Sequence, residues 1–291
     1  LESEFDYLKP DGLGAALDLL AEKKNVKILA GGTDLIVKMK MDAVPNIDFI
    51  MDINGIPELK KIETDPEKAL VIGATAKMSH VEKDNRVIET YEALKEALYL
   101  VASISIRNMA TIGGNFCNAS PVADSVGPVI CYKGSVQLAS KKGIRNIPAE
   151  DFFVAPGISV KNEDELLTTI LLPEPKKDTG AAFIKFGRVK SDIAKISLTV
   201  VLERSDETIL SCRLAMGSVA ATPLYLKDIS EELTGKVMTE ALIEETAQRI
   251  SMFIKPINDI RSTAEYRTDM AKIIAEDALK KAWERSGGKL K

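Results

Sequence analysis

The sequence predicts an α+β chain in two domains, and three observations carry that prediction. Short apolar runs rich in β-branched residues alternate with segments of helical apolar spacing as far as Ser125, and strand patterns then run on to Leu172. The stretch Pro173-Glu174-Pro175-Lys176-Lys177-Asp178 then interrupts every pattern, because two prolines and a charge run do not sit inside an element. Beyond it, three consecutive strand patterns precede helical ones, the order of a sheet layered on helices. The predicted domains are residues 1–175 and 176–285, with residues 286–291, which include Gly287 and Gly288, as a frayed tail.

The elements follow in order. Asp11 is a plausible cap for a helix in which Leu13, Ala16, Leu17 and Leu20 share one face. Val26 to Leu29 and Ile47 to Ile53 read as strands separated by Lys38 to Pro45, which makes the opening strand–helix–strand. Leu59 to Ile62 and Ala69 to Ala74 read as short strands around the turn Thr64 to Glu67. Ser79 is placed as the cap of a short helix carrying His80, and Val87, Ile88, Tyr91, Leu94, Leu98 and Val101 predict a longer helix ending near Ser105. Ser135 to Ser140, Ile144 to Ile147 and Leu166 to Leu172 are strands. After the boundary come strands at Ala181 to Lys190, Ala194 to Glu203 and Thr208 to Gly217, then helices at Ile229 to Leu233, Thr239 to Phe253 and about Thr263 to Trp283.

Composition removes several function classes. With 45 % hydrophobic residues in a chain of 291, a substantial core is expected. The formal charge is only −4, from 39 basic and 43 acidic residues, so no nucleic-acid-binding field is expected. Cys117, Cys131 and Cys212 are odd in number and widely spaced, which argues against disulfides and against an all-cysteine metal or iron–sulfur site. No apolar run reaches the ~18 residues of a membrane span, and Leu1-Glu2-Ser3-Glu4 lacks the character of a secretory signal, so a cytoplasmic protein is expected.

Two glycine loops carry the chemistry. In Ile28-Leu29-Ala30-Gly31-Gly32-Thr33-Asp34-Leu35 a strand delivers the chain into Gly-Gly-Thr, and a helical segment follows. In Ala110-Thr111-Ile112-Gly113-Gly114-Asn115-Phe116-Cys117-Asn118 adjacent glycines again permit close backbone approach, with short polar side chains beside them. One such pair is ordinarily a tight turn. Two of them form a candidate diphosphate cradle without any lysine-bearing phosphate loop.

Taken together, Ala30-Gly31-Gly32-Thr33-Asp34-Leu35, then Ile106-Arg107-Asn108-x-Ala110-Thr111-Ile112-Gly113-Gly114-Asn115, then Ser120-Pro121-x-Ala123-Asp124, resemble the FAD-binding medium subunit of molybdenum hydroxylases. These are the relatives of carbon monoxide dehydrogenase and xanthine dehydrogenase. Phe183-x-Lys185, Asp192-Ile193-Ala194-Lys195 and Asp259-Ile260-Arg261-Ser262-x-x-x-Tyr266-Arg267 resemble the same family. The resemblance implies a two-subdomain FAD-binding domain like that of the vanillyl-alcohol oxidase superfamily, parting near residues 55–60, followed by a small antiparallel sheet with helices. It also implies non-covalent FAD, a small partner subunit with two [2Fe–2S] clusters, a large partner subunit with molybdopterin, and onward transfer of electrons to a soluble acceptor such as NAD.

The same resemblance assigns roles residue by residue. Leu29, Ala30, Asp34 and Leu35 are cofactor-binding residues of the first loop; the amides of Gly31, Gly32 and Thr33 face one side of the diphosphate and those of Gly113 and Gly114 the other, with the Thr33 and Thr111 hydroxyls assisting. Asn115 and Asn118 either bond the ribityl chain or hold their own loop. Asp124 either accepts from flavin hydroxyls or lies exposed in a loop. Lys185 either places a cation beside the isoalloxazine ring, raising its potential, or faces water. Leu166 and Leu167 either pack on the ring or fill the core. His80 is expected to pack or face solvent, Cys117 to act as a small apolar group, and Arg107, Arg188 and Lys190 to form an exposed charged face or meet a partner or nucleotide phosphate. The absence of a further cysteine group argues against the additional cluster of the benzoyl-CoA-type reductases. No catalytic residue and no metal ligand is assigned. The competing readings are a stand-alone FAD oxidase acting on a small substrate and a non-catalytic assembly subunit.

Overall fold

A computed structural model describes residues 5–290. Its first lobe is a parallel sheet with one helix packed on it. Strands β1 (Asp6–Leu8), β2 (Val26–Leu29) and β3 (Phe49–Asp52) lie in the order β1-β3-β2, with Tyr7 opposite Ile50 and Ile28 opposite Met51. Helix α1 (Leu13–Glu22) buries Ala16 and Leu20 on Met51, Ile53, Ile56 and Leu59, while α2 (Leu35–Lys40) follows the first glycine loop. Gly12, and not Asp11, is the cap residue of α1, and it makes no side-chain capping bond. The strand expected at Leu59 to Ile62 is instead a 3-10 turn over Pro57–Lys60, because Pro57 pre-sets the first turn and Leu59 points into the core.

The second lobe is an antiparallel sheet with the order β4-β5-β10-β6-β7, built from β4 (Ile62–Thr64), β5 (Leu70–Gly73), β6 (Ser135–Ser140), β7 (Gly143–Pro148) and β10 (Leu166–Leu172). A small hairpin, β8 (Phe153–Ala155) and β9 (Ile158–Ser159), precedes β10. Six short helices cover this sheet: α3 (Met78–Lys83), α4 (Asn85–Thr90), α5 (Glu92–Leu100), α6 (Ile104–Arg107), α7 (Ile112–Cys117) and α8 (Val126–Cys131). The single helix expected from Val87 to near Ser105 breaks at Tyr91, whose ring stands edge-on to Tyr132 at 5.2 Å and whose hydroxyl donates to the Leu172 carbonyl at 3.0 Å, and its second part, α5, ends at Leu100. Ser79 does not cap α3; Lys77 occupies that position, and Ser79 is buried within the helix.

The C-terminal part forms the sheet β11-β12-β13-β14 from β11 (Thr179–Phe186), β12 (Ile196–Ser205), β13 (Thr208–Gly217) and β14 (Leu224–Tyr225). Helices α9 (Lys227–Leu233), α10 (Glu240–Phe253) and α11 (Ala264–Arg285) complete it. One sheet face packs on these helices through Ala182, Leu198, Val200 and Trp283. The other face, with Ala181, Phe183, Val201 and Ala215, closes the core of the second lobe. Because side chains alternate along a strand, Lys185 follows Ala181 and Phe183 onto this inner face. Strand β11 stops at Phe186 and not at Lys190, since Gly187 opens a loop clasped by the Arg188–Asp192 ion pair at 2.6 Å. The segment after α11 is docked and not frayed as far as Gly288: Arg204 Nε donates to the Ser286 carbonyl at 2.7 Å, and the Gly288 amide donates to the Trp283 carbonyl at 3.0 Å. Residues 1–4 and 291, on which the expectations for the N-terminus and the last tail residue fall, lie outside the described residues.

Candidate functional site

The two glycine loops meet backbone to backbone. After β2 the chain turns at Gly32, whose φ of 73° is a left-handed value that glycine adopts freely. Gly31 beside it has no room for a side chain, since a Cβ there would lie 2.5 Å from the Met109 carbonyl oxygen and 2.8 Å from Ala110 Cα. The first loop therefore rests on the segment that leads into the second. Gly113 is equally tight, with a Cβ position 2.6 Å from the Ala74 side chain.

The loops differ in what their amides do. Those of Gly31, Gly32 and Thr33 donate to no group among the described residues. Gly113 donates to the Ala74 carbonyl at 3.0 Å and Gly114 to the Thr111 hydroxyl oxygen at 3.1 Å, so the two amides expected on the other side of the diphosphate are also bonded within the chain. Thr111 is buried as the N-cap of α7. The asparagines hold their own surroundings, Asn115 accepting from the Ser125 hydroxyl at 2.8 Å and Asn118 from Lys38 Nζ at 2.6 Å. Thr33 and Leu35 are half-buried beside the free amides, as are Leu29 and Ala30, while Asp34 is exposed at the N-cap of α2.

Asp124 and Lys185, far apart in sequence, form one ion pair. Lys185 Nζ donates to Asp124 Oδ2 at 2.6 Å and to the Leu100 carbonyl at 2.9 Å, and the two side chains are 3 % and 7 % exposed. The exposed alternatives for both residues are thereby removed. Burial pushes the Asp124 carboxyl up from its ordinary value, with the Lys185 ammonium opposing that rise. Asp124 Oδ1 is buried without any hydrogen-bond partner among the described residues, a costly arrangement unless a ligand donates to it. Beside Lys185 a cleft of about 230 Å³ opens, lined by Leu100, Phe186, Gly187, Arg188, Val189 and Lys190.

Other expectations resolve more simply. Leu166 and Leu167 are core residues of β10, each 2 % exposed, Leu166 packed in the first-lobe core and Leu167 in the second-lobe core, which is the core-filling alternative of the two. Arg107 is not part of an exposed face; it is buried, paired with Glu82 at 2.9 Å and bonded to the Val101 and Ala102 carbonyls. Arg188 is largely exposed, and Lys190 lies over the Tyr99 ring at 3.5 Å. Cys117 packs half-buried against the second-lobe core, its thiol pushed up to about 11 by burial, and His80 is exposed on α3.

The sequence reading missed two residues that join the loops. Asn54 Nδ2 donates to the Ala30 carbonyl at 2.5 Å, and its Oδ1 accepts from Lys77 Nζ at 3.1 Å, which also donates to the Met109 carbonyl at 3.0 Å. Neither belongs to a glycine motif, and no local pattern marks them.

The free amides on the first loop suit a diphosphate, the Asp124 oxygen lacking a donor suits a hydroxyl, and the cleft beside the buried ammonium suits a planar ring. FAD has all three. Among the described residues no group of three or more histidines, cysteines or acids is arranged to hold a metal ion, and no helix is long and apolar enough to cross a membrane.

Comparison with known proteins converges on this cofactor. Residues 3–175 match the FAD binding domain in molybdopterin dehydrogenase, and residues 181–282 match the CO dehydrogenase flavoprotein C-terminal domain. The carbon monoxide dehydrogenase medium chain of Hydrogenophaga pseudoflava is 32 % identical over 97 % of this chain and 98 % of its own length. The xanthine dehydrogenase FAD-binding subunit of Escherichia coli O157:H7 is 27 % identical over 98 % of each. A solved Hydrogenophaga pseudoflava carbon monoxide dehydrogenase, lacking the Mo-pyranopterin moiety of its molybdenum cofactor, superimposes with a TM-score of 0.93 at 31 % identity, covering 98 % of this chain and 99 % of the other. The chain therefore belongs to the family of FAD-binding medium subunits of molybdenum hydroxylases, the carbon monoxide dehydrogenase and xanthine dehydrogenase flavoproteins, and is a flavoprotein subunit of an oxidoreductase.

Proposed function

We propose that this chain holds FAD non-covalently and passes electrons from [2Fe–2S] clusters of a small partner subunit to a soluble acceptor such as NAD, within a cytoplasmic complex whose large subunit carries molybdopterin. The observation that carries this reading is the run of free amides at Gly31, Gly32 and Thr33, held against the second loop. Successive backbone N–H groups in such a turn make an anion-binding concavity. They receive the diphosphate, and the half-buried Thr33 hydroxyl is placed to add a bond. The relatives named above support the assembly, since one is a medium chain and another a FAD-binding subunit.

When bound, FAD supplies the exchange between one-electron and two-electron carriers. The residues of this chain bind and tune. Asp124 Oδ1 accepts a hydroxyl hydrogen bond that no other group among the described residues supplies. Lys185 brings fixed positive charge to the cleft wall, and its salt bridge to Asp124 keeps that charge from being buried alone. No side chain of this subunit has to take up or release a proton for such a relay.

Co-purification of the complex, followed by an optical spectrum and metal analysis, tests the reading. A flavin spectrum at one FAD per copy of this chain, released intact by denaturation, with iron and molybdenum on the accompanying chains, is the expected result. A complex free of flavin contradicts it.

A further inference from the structure

We propose that Lys77 and Asn54 are positioning residues that set the spacing of the two FAD loops, acting as a brace across the cofactor cradle. The inference rests on the FAD reading above. Lys77 sits directly beside the second loop: its backbone bridges Thr111, and its neighbours Ala76 and Met78 exchange hydrogen bonds with Ile112 and Ala110 at 3.2 and 3.0 Å. From there its ammonium crosses to the Asn54 carbonyl oxygen of the first lobe and also holds Met109, the residue on which Gly31 rests. Asn54 is fixed in turn, its amide and side chain both donating to Asp52 Oδ1, at 2.9 and 2.8 Å, while Nδ2 reaches Ala30 beside the glycines. Tyr7 closes the chain of bonds by donating to Asp52 Oδ2 at 2.6 Å.

The network thus runs from a carbonyl of one loop to a carbonyl of the other without touching the free amides. The loops belong to different lobes with separate cores, and the contact of Gly31 with Met109 limits how closely the two turns approach without tying them together. A charge-assisted, half-buried bond between them does tie them. Lys77 and Asn54 have no place in either glycine motif; they act on the geometry of the cradle through the loops' carbonyls.

Fluorescence titration of the flavin-free full chain with FAD, together with its thermal unfolding, separates this role from general stability. Lys77→Met and Asn54→Ala are each expected to weaken FAD binding about tenfold, the order of one charge-assisted bond. The double variant should bind little worse than the poorer single one, since both break the same brace. Lys77→Arg should recover most of the affinity, and the unfolding temperature of the flavin-free single variants should stay within a few degrees of the parent. Unchanged FAD affinity in Lys77→Met, fully additive losses in the double variant, or affinity falling only in step with a collapse of thermal stability would overturn the proposal. A parent chain that binds no FAD overturns the cofactor reading itself, and the brace with it.

Discussion

Gly31 shows how a single absent methyl group shapes this site. A Cβ at that position would meet the Met109 carbonyl at 2.5 Å, and a backbone oxygen held by Lys77 has little freedom to move aside. Gly31→Ala is therefore expected to part the loops at an overpacking cost of about 1–3 kcal/mol, lowering flavin content in the absorbance of the purified protein. Gly12→Ala, which enters open space, should retain full flavin. Asp124 makes the complementary case. Asp124→Asn would leave the Lys185 ammonium buried without its countercharge, with an expected loss of about 3 kcal/mol in denaturant unfolding; Lys185→Met in the same chain should return part of it. Sequence named both members of this pair but could not join them. The contact depends on β11 turning its Ala181, Phe183 and Lys185 face onto the second lobe, and that is a fact of docking.

Elements were legible where pattern and packing agree. Strand β12 and helix α10 were read nearly to their ends because their apolar periods continue unbroken. Errors fell where one residue served a tertiary partner. Tyr91 interrupts the helical run to reach the Leu172 and Pro173 carbonyls, and Gly187 ends β11 early to begin the loop beside the cleft. Gly288 was assigned to a loose tail, yet its Cβ position lies 2.3 Å from the Trp283 ring, so glycine there marks contact and not flexibility. The junction between β11 and α11 is tighter still. Gly180→Ala would set a methyl 1.9 Å from the Ala282 carbonyl and should destabilise the fold by roughly 1–3 kcal/mol, seen as a lower unfolding temperature in thermal melts.

Across the whole molecule, Glu96 is the clamp between the second lobe and the C-terminal layer. Its carboxylate accepts from Lys281 and Arg285 of α11, each at 2.7 Å, and from the Phe183 amide of β11 at 2.9 Å. Burial alone would raise its pKa, but the bonds from Arg285, Lys281 and the Phe183 amide outweigh that and hold it below the ordinary glutamate value. A carboxyl lowered in the folded state stabilises above its unfolded pKa of about 4.3 and loses that contribution as pH falls through the folded value. Urea midpoints should therefore fall with acidification in the parent more steeply than in Glu96→Gln, the two curves converging at low pH.

The glycine motifs were visible at once because each is local, and the family resemblance came from their order along the chain. Their mutual contact was not visible, since it runs through Met109, Asn54 and Lys77 and repeats no pattern. The proposed cradle stands on that contact. A crystal structure of the full chain with FAD measures it directly: the diphosphate oxygens should lie within about 3.2 Å of the Gly31, Gly32 and Thr33 amides, with the loops still seated on one another. A diphosphate held elsewhere, with those three amides facing water, would contradict it.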